Sequence, residues 1–157
     1  MMTVSSILHQ TNNAKVAHIK WVRRINHLIS GLPVEEKLIP LDPTFCEFGQ
    51  WFYFQGSKLR TLDSLKEILE KIEKLHDELH DIYGKIYTIY FLTPHKRTLL
   101  HKIITLNNKE VKKEEKEEAR NHYDTLIKIS RLLISSMEKF EIAIKELGYH
   151  NAFKDLA

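Results

Sequence analysis

The chain has 157 residues, 43% hydrophobic and 29% charged, a size and balance that suit one folded domain with a core of its own. Five glycines and four prolines are few for an all-β chain with its many turns, and no apolar run approaches the ~18 residues of a membrane span. The net charge of +3 comes from lysines and arginines spread along the chain and interleaved with glutamates, which argues against a nucleic-acid binder with one basic stripe.

Five helical segments and no strand are expected. In the first, Val4 to Ser30, the positions Val4, Ile7, Leu8, Ala14, Ala17, His18, Trp21, Ile25 and Leu28 follow three-and-four spacing. Thr11-Asn12-Asn13 is a point for a kink or a fresh start, and Gly31 and Pro33 end the helix. Residues 32–45 form a loop with Pro33, Pro40 and Pro43. Cys46 to Phe54 is a helical turn or short helix, closed by Gly56 and Ser57. From Leu62 to Phe91 a wide apolar stripe runs through Leu65, Leu69, Ile72, Leu79 and Tyr83, and Thr93-Pro94 breaks it. His95 to Leu106 is a shorter helix. The last helix runs from Lys109 to Leu147, its charged start at Glu110–Glu118 in solvent, with Gly148 as C-cap and a loose tail at 149–157. The expected fold is a single all-α domain over residues 1–157, an antiparallel four-helix-type bundle with an additional short helix or loop that carries the cysteine.

One cysteine excludes an internal disulfide and leaves a free thiol, an intermolecular disulfide or a metal ligand. His76 and His80, in His-Asp-Glu-Leu-His, are four apart and stack on one helix face, where one ion can bridge them. Such pairs are commonest on wet surfaces, but this one sits on or beside the apolar stripe of Ile72, Leu79 and Tyr83. Asp77 follows His76, so the pair is not a zinc-protease motif. Glu73, Asp77 and Asp81 are candidate acceptors for the second ring nitrogens. His18 shares an apolar face with Ala14, Trp21 and Ile25, and by itself reads as a core histidine on a backbone carbonyl. Cys46, in Cys-Glu-Phe-Gly-Gln-Trp, has Phe48 and Trp51 to shield it and Gly49 to free the backbone. If His18, Cys46, His76 and His80 converge, they form a closed tetrahedral zinc site. The other six histidines share no pattern and read as surface residues.

Together these blocks resemble the bacterial chemoreceptor zinc-binding (CZB) family. The resemblance lies in His18 with Trp21, in Cys46-Glu-Phe48-Gly49-Gln-Trp51 and in His76-Asp-Glu-Leu-His80, in that order, within residues 14–92. It implies a helical bundle binding Zn2+ through His18, Cys46, His76 and His80, with a sensory role toward zinc or oxidants such as hypochlorous acid. It also implies a cytoplasmic homodimer that signals to a chemoreceptor or diguanylate cyclase, in trans or as a fused output. The start Met1-Met2-Thr3-Val4 has no signal-peptide pattern, in keeping with a cytoplasmic site. Nothing in the 157 residues looks like a cyclase or a receptor signalling hairpin.

Three alternatives stay open at this level. A zinc hydrolase would need an open coordination position and a base such as Glu47, Asp77 or Glu78. A di-iron bundle would need several inward carboxylates, and the acidic residues lie outside the apolar stripes. A metal-free helical adaptor would leave the histidines as ordinary polar residues.

Overall fold

A computed structural model describes residues 3–38, 40–93 and 111–149. The helix expected over His95 to Leu106 lies outside the described residues, as does the tail from residue 150 onward. The described part is all-α. Helix α1 spans Val4–Ile29, α2 Glu47–Phe54, α3 Asp63–Tyr87 and α4 Lys113–Tyr149.

Thr3 opens α1 with a reciprocal cap: its hydroxyl accepts from the Ser6 amide at 3.1 Å, and the Thr3 amide donates to the Ser6 hydroxyl at 2.9 Å. The helix passes through Thr11-Asn12-Asn13 without a break. Thr11 is buried, and its hydroxyl donates to the Ile7 carbonyl one turn back at 2.9 Å, so the side chain is satisfied inside the helix. Gly31, at φ 81, then stops α1. Its amide returns to Leu28 at 3.1 Å and that of Leu32 to His27 at 3.0 Å, the paired bonds of a glycine-terminated helix.

The segment after α1 turns back along α3. Glu36 accepts from the Tyr87 hydroxyl, the Leu41 carbonyl meets His80, Cys46 meets His76, Tyr53 bonds Asp77, and Arg60 pairs with Glu73. Reading down that order, the segment travels from the end of α3 to its beginning. It includes short 3-10 turns at Glu36–Leu38, Pro43–Phe45 and Gly56–Thr61. Because the chain descends here, α3 rises parallel to α1. Trp21 packs on Tyr83 with ring centres 5.3 Å apart, and the Tyr90 hydroxyl donates to the Ile29 carbonyl at 3.4 Å. Helix α3 widens into one π-type turn at Thr88–Leu92.

Helix α4 runs antiparallel to α1: Lys15 pairs with Glu141 at 2.8 Å, and Gly148 lies against Val4. Gly148 does not act as the expected C-cap, since the helix continues through Tyr149. Its role is steric, because a Cβ there would come 2.6 Å from Val4 Cγ2. The start expected at Lys109 also shifts, with helical geometry beginning at Lys113. Ile7, Ile25, Leu69, Leu79, Leu133 and Phe140 sit in the shared core, each at most 1% exposed. Among the described residues no helix is long and apolar enough to cross a membrane.

Candidate metal centre

Three elements bring the four singled-out residues together. His18 comes from the middle of α1, His76 and His80 from consecutive turns of α3, and Cys46 from the residue that caps α2. One ligand atom from each lies within 4.8 Å of all the others. The three histidines are at most 5% exposed and Cys46 is half-buried. Tetrahedral zinc with ordinary bond lengths would hold such donors roughly 3.3–3.6 Å apart, so the spacing fits the ion with small adjustments.

The hydrogen bonds outside the cage select the nitrogens that face inward. His18 Nδ1 meets the Ala14 carbonyl at 2.8 Å, one turn back on α1. His80 Nδ1 meets the Leu41 carbonyl at 3.0 Å, in the proline-bracketed loop. Each bond holds the proton on Nδ1 and leaves Nε2 as a lone-pair donor. His76 Nε2 lies 3.2 Å from Cys46 Sγ, and its Nδ1 is buried without a hydrogen-bond partner. The carboxylates considered as acceptors are engaged elsewhere. Asp77 accepts from the Tyr53 hydroxyl at 3.1 Å, and Glu73 pairs with Arg60 at 2.7 Å. Glu73, Asp77 and Asp81 share the outer acidic face of α3, so at His80 the Leu41 carbonyl takes the place that a carboxylate was expected to fill.

Cys46 is held by backbone geometry. Its Sγ accepts from the Gly49 amide at 3.2 Å, and as a thiol it donates to the Pro43 carbonyl at 3.3 Å. The turn closes only because residue 49 lacks a side chain: a Cβ there would lie 1.8 Å from the Pro43 carbonyl oxygen. Aromatic rings wall the cage. Phe48 sits edge-on to His76 at 5.0 Å and to His18 at 5.8 Å, Trp21 covers His80 at 5.1 Å, and Trp51 backs Phe48 at 6.0 Å. The packing of Tyr83, a residue of the apolar stripe, under Trp21 and the bond from Tyr53 to Asp77 are supports that sequence spacing did not single out. Their partners lie 62 and 24 residues away along the chain, and no local pattern marks them.

Burial sets the protonation of the cation-free cage. It lowers His18 to about 4 and pushes His76 and His80 down as well, with neighbouring imidazoles adding to the effect at His76. Burial raises the Cys46 thiol, and the Gly49 amide works in the opposite direction. Neutral imidazoles are ready ligands, and a divalent cation would favour the thiolate that burial alone disfavours. Among the other histidines, His9 and His27 are exposed, and His122 lies 3.6 Å from Glu118 on α4, well outside the cage. His95, His101 and His150 lie outside the described residues.

Residues 18–87 match the family model of the chemoreceptor zinc-binding domain. No curated protein and no solved structure matches the chain. The matched stretch begins at His18 and takes in all four cage residues, the three aromatics that wall them and the glycine that closes the cysteine turn. Soft sulfur and imidazole donors in a four-fold set suit Zn2+, the ion that the family is described as binding. The segment that builds this four-donor cage thus matches a chemoreceptor zinc-binding domain, a zinc-binding regulatory module.

Proposed function

We propose that the chain is a zinc-dependent sensory module in which His18, Cys46, His76 and His80 are the four ligands of one Zn2+. The observation that supports this most is the convergence of one donor atom from each within 4.8 Å. When bound, zinc supplies positive charge that favours the Cys46 thiolate near neutral pH. The protein's own part is to orient that sulfur. The Gly49 amide and the Pro43–Cys46 turn hold Sγ toward the cage, and Phe48 and Trp21 keep water from its inner side.

Two events would release the same contact. Without zinc, Cys46 would lose its tie to the helices, and oxidation of its thiolate to a sulfenic acid by an oxidant such as hypochlorous acid would make it a poorer ligand. Either loosens the joint between the descending segment, α1 and α3, and a small rotation of packed helices then alters a partner surface. The output is signalling to a chemotaxis or cyclic-di-GMP protein, in trans or in an attached domain, from a homodimeric, cytoplasmic module. The whole chain, 1–157, forms one such domain. A shell of three imidazoles and one thiolate leaves no position for a substrate water, so the module acts without catalysis.

Elemental analysis of purified protein tests the site, with about one zinc per chain expected and none in a combined His76→Ala, His80→Ala variant. Cobalt substitution reports the sulfur ligand through its thiolate absorption, which Cys46→Ala should remove. Full zinc content in Cys46→Ala together with an unchanged oxidant response would overturn the proposal.

A further inference from the structure

Helix α4 packs its inner face on both ligand-bearing helices, α1 and α3, and carries none of the four cage residues itself. Leu126, Leu133 and Phe140, seven residues apart and at most 1% exposed, mark that inner face. The opposite side holds a second heptad-spaced seam: Thr125, Lys128, Leu132, Ser135, Lys139 and Ile142. All six are exposed, and Leu132 and Ile142 keep 51% and 56% of their surface open to solvent. One flank of the seam carries Asp124, Arg131, Glu138 and Lys145, again at heptad spacing, and their signs alternate along the helix. All four are exposed, and none forms an ion pair among the described residues. The other flank, Ile129, Ser136 and Ala143, is uncharged and turned partly or wholly inward.

A row of alternating signs is its own complement when read backwards. We propose that the outer seam of α4 docks a second copy of this chain, with the two α4 helices antiparallel about a two-fold axis. This rests on the homodimeric reading above and names the face that makes the dimer. With Leu132 of one seam against Ser135 of the other, Arg131 meets Glu138 and Asp124 meets Lys145, and the symmetry makes each pair twice. The same register sets Ile142 against Thr125. A parallel pair would instead lay the charged flank along Ile129, Ser136 and Ala143 and form no ion pair there. Lys128 and Lys139 also meet in the antiparallel seam. Their stems cover apolar surface while the ammonium groups turn out to water, and polar seam positions of this kind fix the register at a cost in stability. From Asp124 to Lys145 the contact runs about 32 Å along the helix. His18, Cys46, His76 and His80 of each copy stay outside it, so each cage acts on the dimer through the packing of α1 and α3 on α4.

Sedimentation equilibrium of the full zinc-loaded chain reads the dimer dissociation constant, and circular dichroism checks that each variant is folded. Arg131→Glu sets glutamate against glutamate at both symmetric contacts and should weaken the dimer by at least about ten-fold at low salt. Glu138→Arg should do the same with arginine against arginine. The combined Arg131→Glu, Glu138→Arg chain restores both pairs with the charges exchanged and should return to within about three-fold of the wild type. A wild-type dimer that neither single reversal weakens, or that the combined exchange fails to rescue, overturns the α4 seam and leaves the homodimeric reading in place. A zinc-loaded wild-type chain that stays monomeric at high micromolar concentration overturns both.

Discussion

Gly49→Ala places one methyl group where the cysteine turn has no room. On helix propensity alone the change should stabilise α2 by about 1 kcal/mol. The new Cβ, however, would sit 1.8 Å from the Pro43 carbonyl oxygen, 2.9 Å from its carbon and 3.2 Å from Thr44 Cα. All three are backbone atoms, so no flexible side chain can yield. Reaching even 3.0 Å, below which real Cβ atoms essentially never come, requires a retreat of about 1.2 Å in the Pro43–Cys46 turn. Metal bonds tolerate errors of about 0.2 Å. The displacement therefore exceeds what the cage can absorb, and overpacking costs about 1–3 kcal/mol in the cation-free state. Zinc affinity should fall by roughly 10–100-fold, the loss usual when a ligand's support is removed. Competition against a chromophoric chelator measures that affinity, and thermal melting in EDTA measures the cation-free cost. Gly84→Ala is the control: nothing lies within 4 Å of a Cβ there, so it should gain about 1 kcal/mol and leave zinc affinity unchanged. Wild-type zinc affinity in Gly49→Ala would refute the claim that this close approach aims the sulfur.

Other outcomes follow from burial and charge. His76→Leu should abolish zinc binding yet raise the melting temperature of the cation-free protein, because a buried imidazole with an unpartnered Nδ1 is replaced by apolar volume; a lower melting temperature in EDTA would contradict it. The cation-free protein should lose stability in acid. His18, lowered to about 4 by burial, stays neutral when folded, while the unfolded chain takes up its proton near 6.5. Its stabilising contribution is thus complete above about pH 6.5 and is lost as the pH falls toward 4, at up to about 1.4 kcal/mol per pH unit. His76 and His80 shift in the same direction, and denaturant titrations between pH 7 and 4 should show their combined slope. Phe140→Ala, at a core position 1% exposed, should cost about 3–5 kcal/mol by urea unfolding. A double-mutant cycle on Lys15 and Glu141, a partly exposed bridge one turn before His18 on α1, should return at most about 1 kcal/mol and no change in zinc affinity.

Local chemistry along the chain was enough to foresee the helices, and the order of three motif blocks pointed to the four residues that converge. Apolar spacing marked α1 and α3, Gly31 marked the end of α1, and the four-residue step from His76 to His80 put two imidazoles on one face. These are properties of a few neighbouring residues, and a helix repeats them faithfully. The ends of α4 were less legible. Gly148 looks like a stop signal in sequence, yet packing against Val4 keeps it inside the helix.

Convergence itself was a tertiary matter. Cys46 and His76 are thirty residues apart, and only the descent of the segment 30–62 along α3 sets their side chains 3.2 Å from each other. The choice of outer partners was decided there too. Carboxylates at 73, 77 and 81 seemed natural acceptors for the α3 pair, but their helix face turns outward and the Leu41 carbonyl reaches His80 instead, while His18 meets a backbone carbonyl, that of Ala14, as expected. Every peptide unit carries a carbonyl, so nothing in a side-chain pattern can tell which one a fold will bring to a histidine. Residue types thus determined which ion could be held, and the path of the backbone decided whether, and by which atoms, the donors could meet.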